Sequence, residues 1–108
     1  MTNRERILNF AAAPLKSELV ALPGGAQVKV REMTARESSA LAERKEAGEE
    51  SIRFQMVLSC CLDPDTGEAM FTAPDVEALM GGPATVVNQI VAAVMRLSNP
   101  PSKVTEGN

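Results

Sequence analysis

Few residues in this chain have the type and spacing for chemistry. The only thiols are Cys60 and Cys61, and His is absent. Without imidazole there is no Ser–His or Cys–His nucleophile pair, no histidine base and no zinc site that needs a ring nitrogen. A thiol pair could hold a metal or switch by redox. Zinc sites, however, space their thiolates by about two to four residues, and no second pair follows. Adjacent cysteines also cannot close an ordinary structural disulfide. Set among Val57, Leu58 and Leu62, both read as reduced thiols that serve as small core hydrophobes. Asp63, Asp65 and Gly67 outline a calcium loop. Such a loop takes Gly at its sixth position and a bidentate Glu at its twelfth, where this chain has Glu68 and Pro74. The segment reads as a turn. Pro23-Gly24-Gly25 and Gly81-Gly82 lack the Lys-Ser/Thr or the spaced third Gly of a phosphate loop. The carboxylates fall on exposed faces and turns, so neither an enzyme, a metal site nor a cofactor is expected.

Charge and composition exclude more. Eleven basic against 14 acidic side chains leave a net charge of −3, and the longest basic block is Arg44-Lys45. Neutralising a phosphate backbone needs clustered cations, so no nucleic-acid partner is expected. No apolar run approaches the roughly 18 residues of a membrane span, and the N-terminus lacks a signal-peptide core. A soluble, cytoplasmic protein without a membrane partner is expected. At 108 residues the chain is one domain's worth. Its apolar set includes 15 Ala and three Phe, with no Trp or Tyr. Such a core gains little buried area per residue, which predicts that the protein self-associates.

The elements that must position these residues follow from capping and periodicity. Thr2-Asn3-Arg4-Glu5 is a capping box and predicts a helix over residues 3–12, with Ile7, Leu8 and Phe10 as its apolar edge and Pro14 as its stop. Residues 16–22 and 27–32 form the best strand signal: Val28 and Val30 alternate with Lys29 and Arg31, across a tight Pro23-Gly24-Gly25 connection. An isolated hairpin is marginal in water. It must either cover a helical core or offer Val20, Val28 and Val30 as an edge to another chain. Thr34-Ala35-Arg36-Glu37, a second capping box, opens a polar helix to residue 47, with Gly48 closing it. Ser51 is expected to cap the core helix over residues 52–62, apolar nearly all round. Asp63-Pro64-Asp65-Thr66-Gly67 turns, residues 68–71 run extended, and Thr72 caps a helix whose Val76, Leu79 and Met80 share one face. Pro83 begins the last helix, through residue 97, with a stripe of Val86, Val87, Ile90, Val91, Val94 and Met95. The expected fold is α+β, mainly α. An N-terminal two-stranded antiparallel hairpin is followed by a small helical bundle, as one domain over residues 1–98 with a flexible tail over 99–108. With chemistry removed, a partner-binding or self-assembling module remains.

From Leu62 to Leu79, the apolar helix end, the Asp-Pro-Asp-Thr-Gly turn, Phe71 and the acidic helix start at Asp75 resemble the tail assembly chaperones of long-tailed bacteriophages. The hairpin over residues 18–32, the Met33-to-Glu37 helix entry and the final helix come in that family's order, so the resemblance covers about residues 16–98. It implies a non-catalytic protein of the host cytoplasm, absent from the finished virion, that coats the tape measure protein and recruits tail tube subunits. It also implies that a frameshift extension, where one exists, attaches beyond residues 102–108. Under that reading the client-binding strips would be Phe71, Val76, Leu79 and Met80, with Val87, Val91 and Val94 on the last helix. A structural tail component, such as a terminator or tube-associated protein, is the alternative; it would be richer in strands. A small DNA-binding regulator would need several exposed cations on one helix, and the final helix has only Arg96.

Overall fold

The computed structural model describes residues 1–44 and 48–98. The predicted C-terminal end of the helix at residues 45–47 and the tail over 99–108 therefore lie outside the described residues. The elements run α1 (Asn3–Ala11), β1 (Ser17–Ala21), β2 (Gln27–Arg31), α2 (Ala35–Glu43), α3 (Glu49–Cys60), β3 (Cys61–Leu62), α4 (Ala73–Met80) and α5 (Ala84–Ser98). The fold is α+β and mainly α, as the patterning predicts.

Three of the helix starts close as their sequences dictate. Thr2 Oγ1 accepts from the Glu5 N–H, and Glu5 answers by accepting from the Thr2 N–H at 2.7 Å. Thr34 and Glu37 repeat this pattern, and Asp75 Oδ2 accepts from both the Thr72 N–H and its hydroxyl. These bonds satisfy donors that a helix start leaves unpaired. α3 departs from expectation: it begins at Glu49 with Gly48 as its N-cap, not after Ser51. Its acidic first residues, Glu49 and Glu50, suit the positive end of the helix dipole.

β1 and β2 pair antiparallel, Leu19 opposite Lys29, around a short 3-10 turn at Pro23–Gly25. Gly24 and Gly25 both sit at positive φ, 89° and 85°, which side chains oppose and glycine permits. The hairpin is not alone. The core helix stops at Cys60, and Cys61–Leu62 pairs with Val30 and Lys29 as a third strand. The sheet order is β1-β2-β3, so β2 is a middle strand. The change follows from what meets the chain there: an unfilled edge of β2 offers backbone partners that outweigh one more helical turn.

α5 is the hub. It lies on β1 and β2 and against α3 and α4, burying Val87, Ile90, Ala93 and Val94. These close on Val28, Val30, Met56, Val57, Cys60, Cys61 and Val76. α4 and α5 together have the apolar length of a membrane span, but they bend by 118° and turn their apolar faces into this core. Among the described residues no single helix is long and apolar enough to cross a membrane.

Candidate interaction surface

The residues with chemical potential are absorbed by the fold. Both thiols are buried. Burial pushes Cys60 up to about 11 and Cys61 up to about 12, so neither is a thiolate near neutrality. Asp63 Oδ1 accepts from the Asp65 N–H at 2.8 Å, and the Gly67 N–H donates to the Asp63 carbonyl. The acidic loop is thus a turn held by its own side chain. Among the described residues no three His, Cys, Asp or Glu side chains are grouped to hold a metal.

The strongest polar cluster joins elements. Arg31, at the end of β2, donates Nη1 to Glu37 Oε1 and Nη2 to Glu37 Oε2, both at 2.8 Å. Its Nη2 also reaches the Ser59 carbonyl at 2.9 Å, in the last turn of α3 where carbonyls lack helical partners. Arg31 therefore fastens α2 and the end of α3 to the sheet. The guanidinium, with the backbone N–H of Thr34, holds the Glu37 carboxyl down at about 2. The Met33 N–H donates to Ser98 Oγ at 2.9 Å, tying the same corner to α5. Alternation along β2 predicts that Arg31 is polar and outward, but no sequence signal specifies these partners.

The predicted partner-binding residues divide. Val76 and Val94 are fully buried and Val87 is 5% exposed, so these three build the core and are not available to a client. α5 packs against the sheet and two helices at once, and its apolar stripe is consumed. Phe71, Leu79, Met80 and Val91 are half-buried at the core's margin. Of the predicted self-association edge, Val28 and Val30 sit on the middle strand at 2% and 0% exposure. They are not at an edge, because β3 occupies the flank that a two-stranded hairpin would leave open. Val20 is half-buried on β1, an outer strand.

The exposed apolar surface lies elsewhere. Among the described residues, six of the seven exposed large apolar side chains fall within the first 19: Met1, Ile7, Leu8, Phe10, Leu15 and Leu19. No residue of α1 is buried, and Ile7 and Phe10 stand 67% and 80% exposed. Beside the end of α1, Phe10, Leu15 and Met33 line a cavity of about 570 Å³ that Lys16 and Glu32 rim. A second hollow, about 370 Å³, has Phe54 and Met80 as its apolar walls and Glu50 and Glu77 beside them. The sequence signal for α1 was present in Ile7, Leu8 and Phe10 as an apolar edge. What it lacked was any hint that nothing would cover them.

No family model matches this chain, and no curated protein matches it. A solved structure does: the tail assembly chaperone of bacteriophage HK97 has the same fold, at a TM-score of 0.64 and 16% identity, over 91% of this chain and 98% of that one.

Proposed function

We propose, from a fold shared with the HK97 tail assembly chaperone, that this protein is a tail assembly chaperone of a long-tailed bacteriophage. In this reading it acts in the host cytoplasm, without catalysis, and leaves before the virion is complete. It binds and shields the tape measure protein and helps bring tail tube subunits to it. The observation that carries the reading is the uncovered apolar face of α1, standing beside a closed core in a fold of this kind.

The physics needs no cofactor or nucleotide. A client helix with an exposed apolar stripe is held back from aggregation when that stripe is covered, at about 25 cal/mol per Å² removed from water. Ile7, Leu8 and Phe10 supply such a cover, and the Phe54–Met80 hollow adds a second, flanked by carboxylates that suit a client with nearby Lys or Arg. Each contact is small. Repeated along an extended client, small contacts sum to firm coating and still let arriving tube subunits displace one chaperone at a time.

Co-expression with a tape measure protein of the phage or prophage that carries this gene tests the reading. The client is expected in the soluble fraction with this protein present and in the pellet without it. Equal precipitation in both cases would remove the chaperone function. Replacing Ile7 and Phe10 together by Ser is expected to return the client to the pellet while the fold persists. Undiminished protection by that variant would move the client site away from α1.

A further inference from the structure

We infer that two copies of this chain join through β1, edge to edge and antiparallel, about a two-fold axis at Leu19. The sheet itself leads there. The Glu32 N–H donates to the Lys16 carbonyl and the Leu22 N–H to the Ala26 carbonyl, which sets the phase of the β1–β2 ladder. Bonded and non-bonded pairs alternate along an antiparallel pair. Hence Glu18 and Val20 bond to β2, while Ser17, Leu19 and Ala21 turn their N–H and C=O groups to the outer edge. That leaves a row of three donors and three acceptors ready for another strand.

The opposite edge is closed. The Met70 N–H donates to the Cys61 carbonyl, the Asp63 N–H donates to the Glu68 carbonyl at 2.8 Å, and Leu62 bridges to Ala69. With β3 covered by residues 68–70, β1 of one copy cannot add to β3 of the next without displacing that segment. A strand-to-strand union must then use β1 twice, which is an isologous, closed contact.

The side chains of β1 allow it. Of the usual guards against edge pairing, Ser17–Ala21 has no proline, lysine or bulge, and its one charged side chain is Glu18, half-buried on the face away from Leu19. With Leu19 on the axis, Ser17 faces Ala21 and Glu18 faces Val20, so all six outward backbone groups find partners and no two carboxylates lie opposite each other. Glu18 is also paired with Arg96 of its own chain. Leu19, 58% exposed, meets its own copy. The interface deepens the chaperone reading, on which it rests only for its use: pairing puts two α1 helices in one particle and so raises its hold on a long client.

Light scattering across a concentration series tests this on the full chain. The wild type is expected to pass from monomer to dimer, and Leu19→Lys, which places two ammonium groups on the axis, to weaken the dimer by roughly tenfold or more. Leu19→Cys is expected to give a covalent dimer on mild oxidation, since facing residues of a bonded pair lie about 5.5 Å apart, within reach of a disulfide. Gln89→Cys, exposed on α5, serves as the collision control. A wild type that stays monomeric to about 1 mM overturns the proposal. So does a dimer indifferent to Leu19→Lys, or a Leu19→Cys chain that cross-links no faster than the control. A dimer lost in Leu19→Lys, with neither form protecting the client, would keep this interface and remove the chaperone function; a protective monomer would do the reverse.

Discussion

Glu37 holds two positions at once. Its Oε1 accepts from the Thr34 N–H, closing a helix cap, and from Arg31 Nη1, closing an ion pair. Hydrogen bonds to Arg31 lower its carboxyl from 4.5 to about 2. A carboxyl depressed in the folded state stabilises the fold fully above its ordinary titration range, and that contribution disappears as pH falls from about 4.5 toward 2. Allowing for its partial exposure, the contribution is about 1–2 kcal/mol. Urea melts of the wild type and Glu37→Gln at pH 7 and pH 3 check this: the gap between them should shrink at the lower pH. Arg31→Ala should cost more, about 2–3 kcal/mol, because it also strips the Ser59 carbonyl of its partner. The two thiols make an opposite forecast. Buried and raised to about 11 and 12, they should react with a thiol reagent at pH 8 only as fast as the protein opens, and at full speed in denaturant.

At the scale of elements, α1 and α5 are contrasting amphipathic helices. α5 presents its stripe to two strands and two helices and buries it. α1 carries Ile7, Leu8 and Phe10 on a capped helix with no buried residue. Substitution should therefore separate stability from function. Phe10→Ser is expected to leave the unfolding free energy within about 0.5 kcal/mol of the wild type in a denaturant melt while weakening the client protection proposed above. Ile90→Ala, at a fully buried position of α5, is expected to cost about 2–5 kcal/mol in chemical denaturation. The same contrast shows how much was legible beforehand. Caps at Thr2, Thr34 and Thr72, the hairpin and its register-setting glycines, and the turn at Asp63 could be read because each is decided within a few residues. The end of α3 could not. Cys61 and Leu62 continue an apolar run that suits a helix, and only the proximity of β2 makes them a strand.

For the whole molecule, the core is small and closed, made of valines, two cysteines, one isoleucine, one alanine and one methionine. Among the described residues, the large apolar side chains left exposed are concentrated in the first 19 positions, while the others pack in or against the core. A chain arranged this way keeps its fold while leaving apolar surface for others. The net charge of −3 and the carboxylates around the Phe54–Met80 hollow oppose indiscriminate clustering. Client protection should accordingly weaken less with salt than with loss of α1 side chains, because apolar burial is not screened. Turbidity of the client at low and high ionic strength, with the wild type and with the Ile7/Phe10 double variant, measures that difference.

The absence of imidazole chemistry, the helix starts, the tight turns and the mainly helical class depend only on residue type and on neighbours three or four positions away, so they are written in the order of amino acids. Which apolar side chains stay exposed is set by how the elements come together. Val76, Val87 and Val94 look no different in sequence from a docking stripe, yet α5's position between sheet and helices buries them. Ile7 and Phe10 look like ordinary core candidates and remain uncovered. Burial belongs to pairs of surfaces, and whether a partner surface arrives is settled by the path of the whole chain.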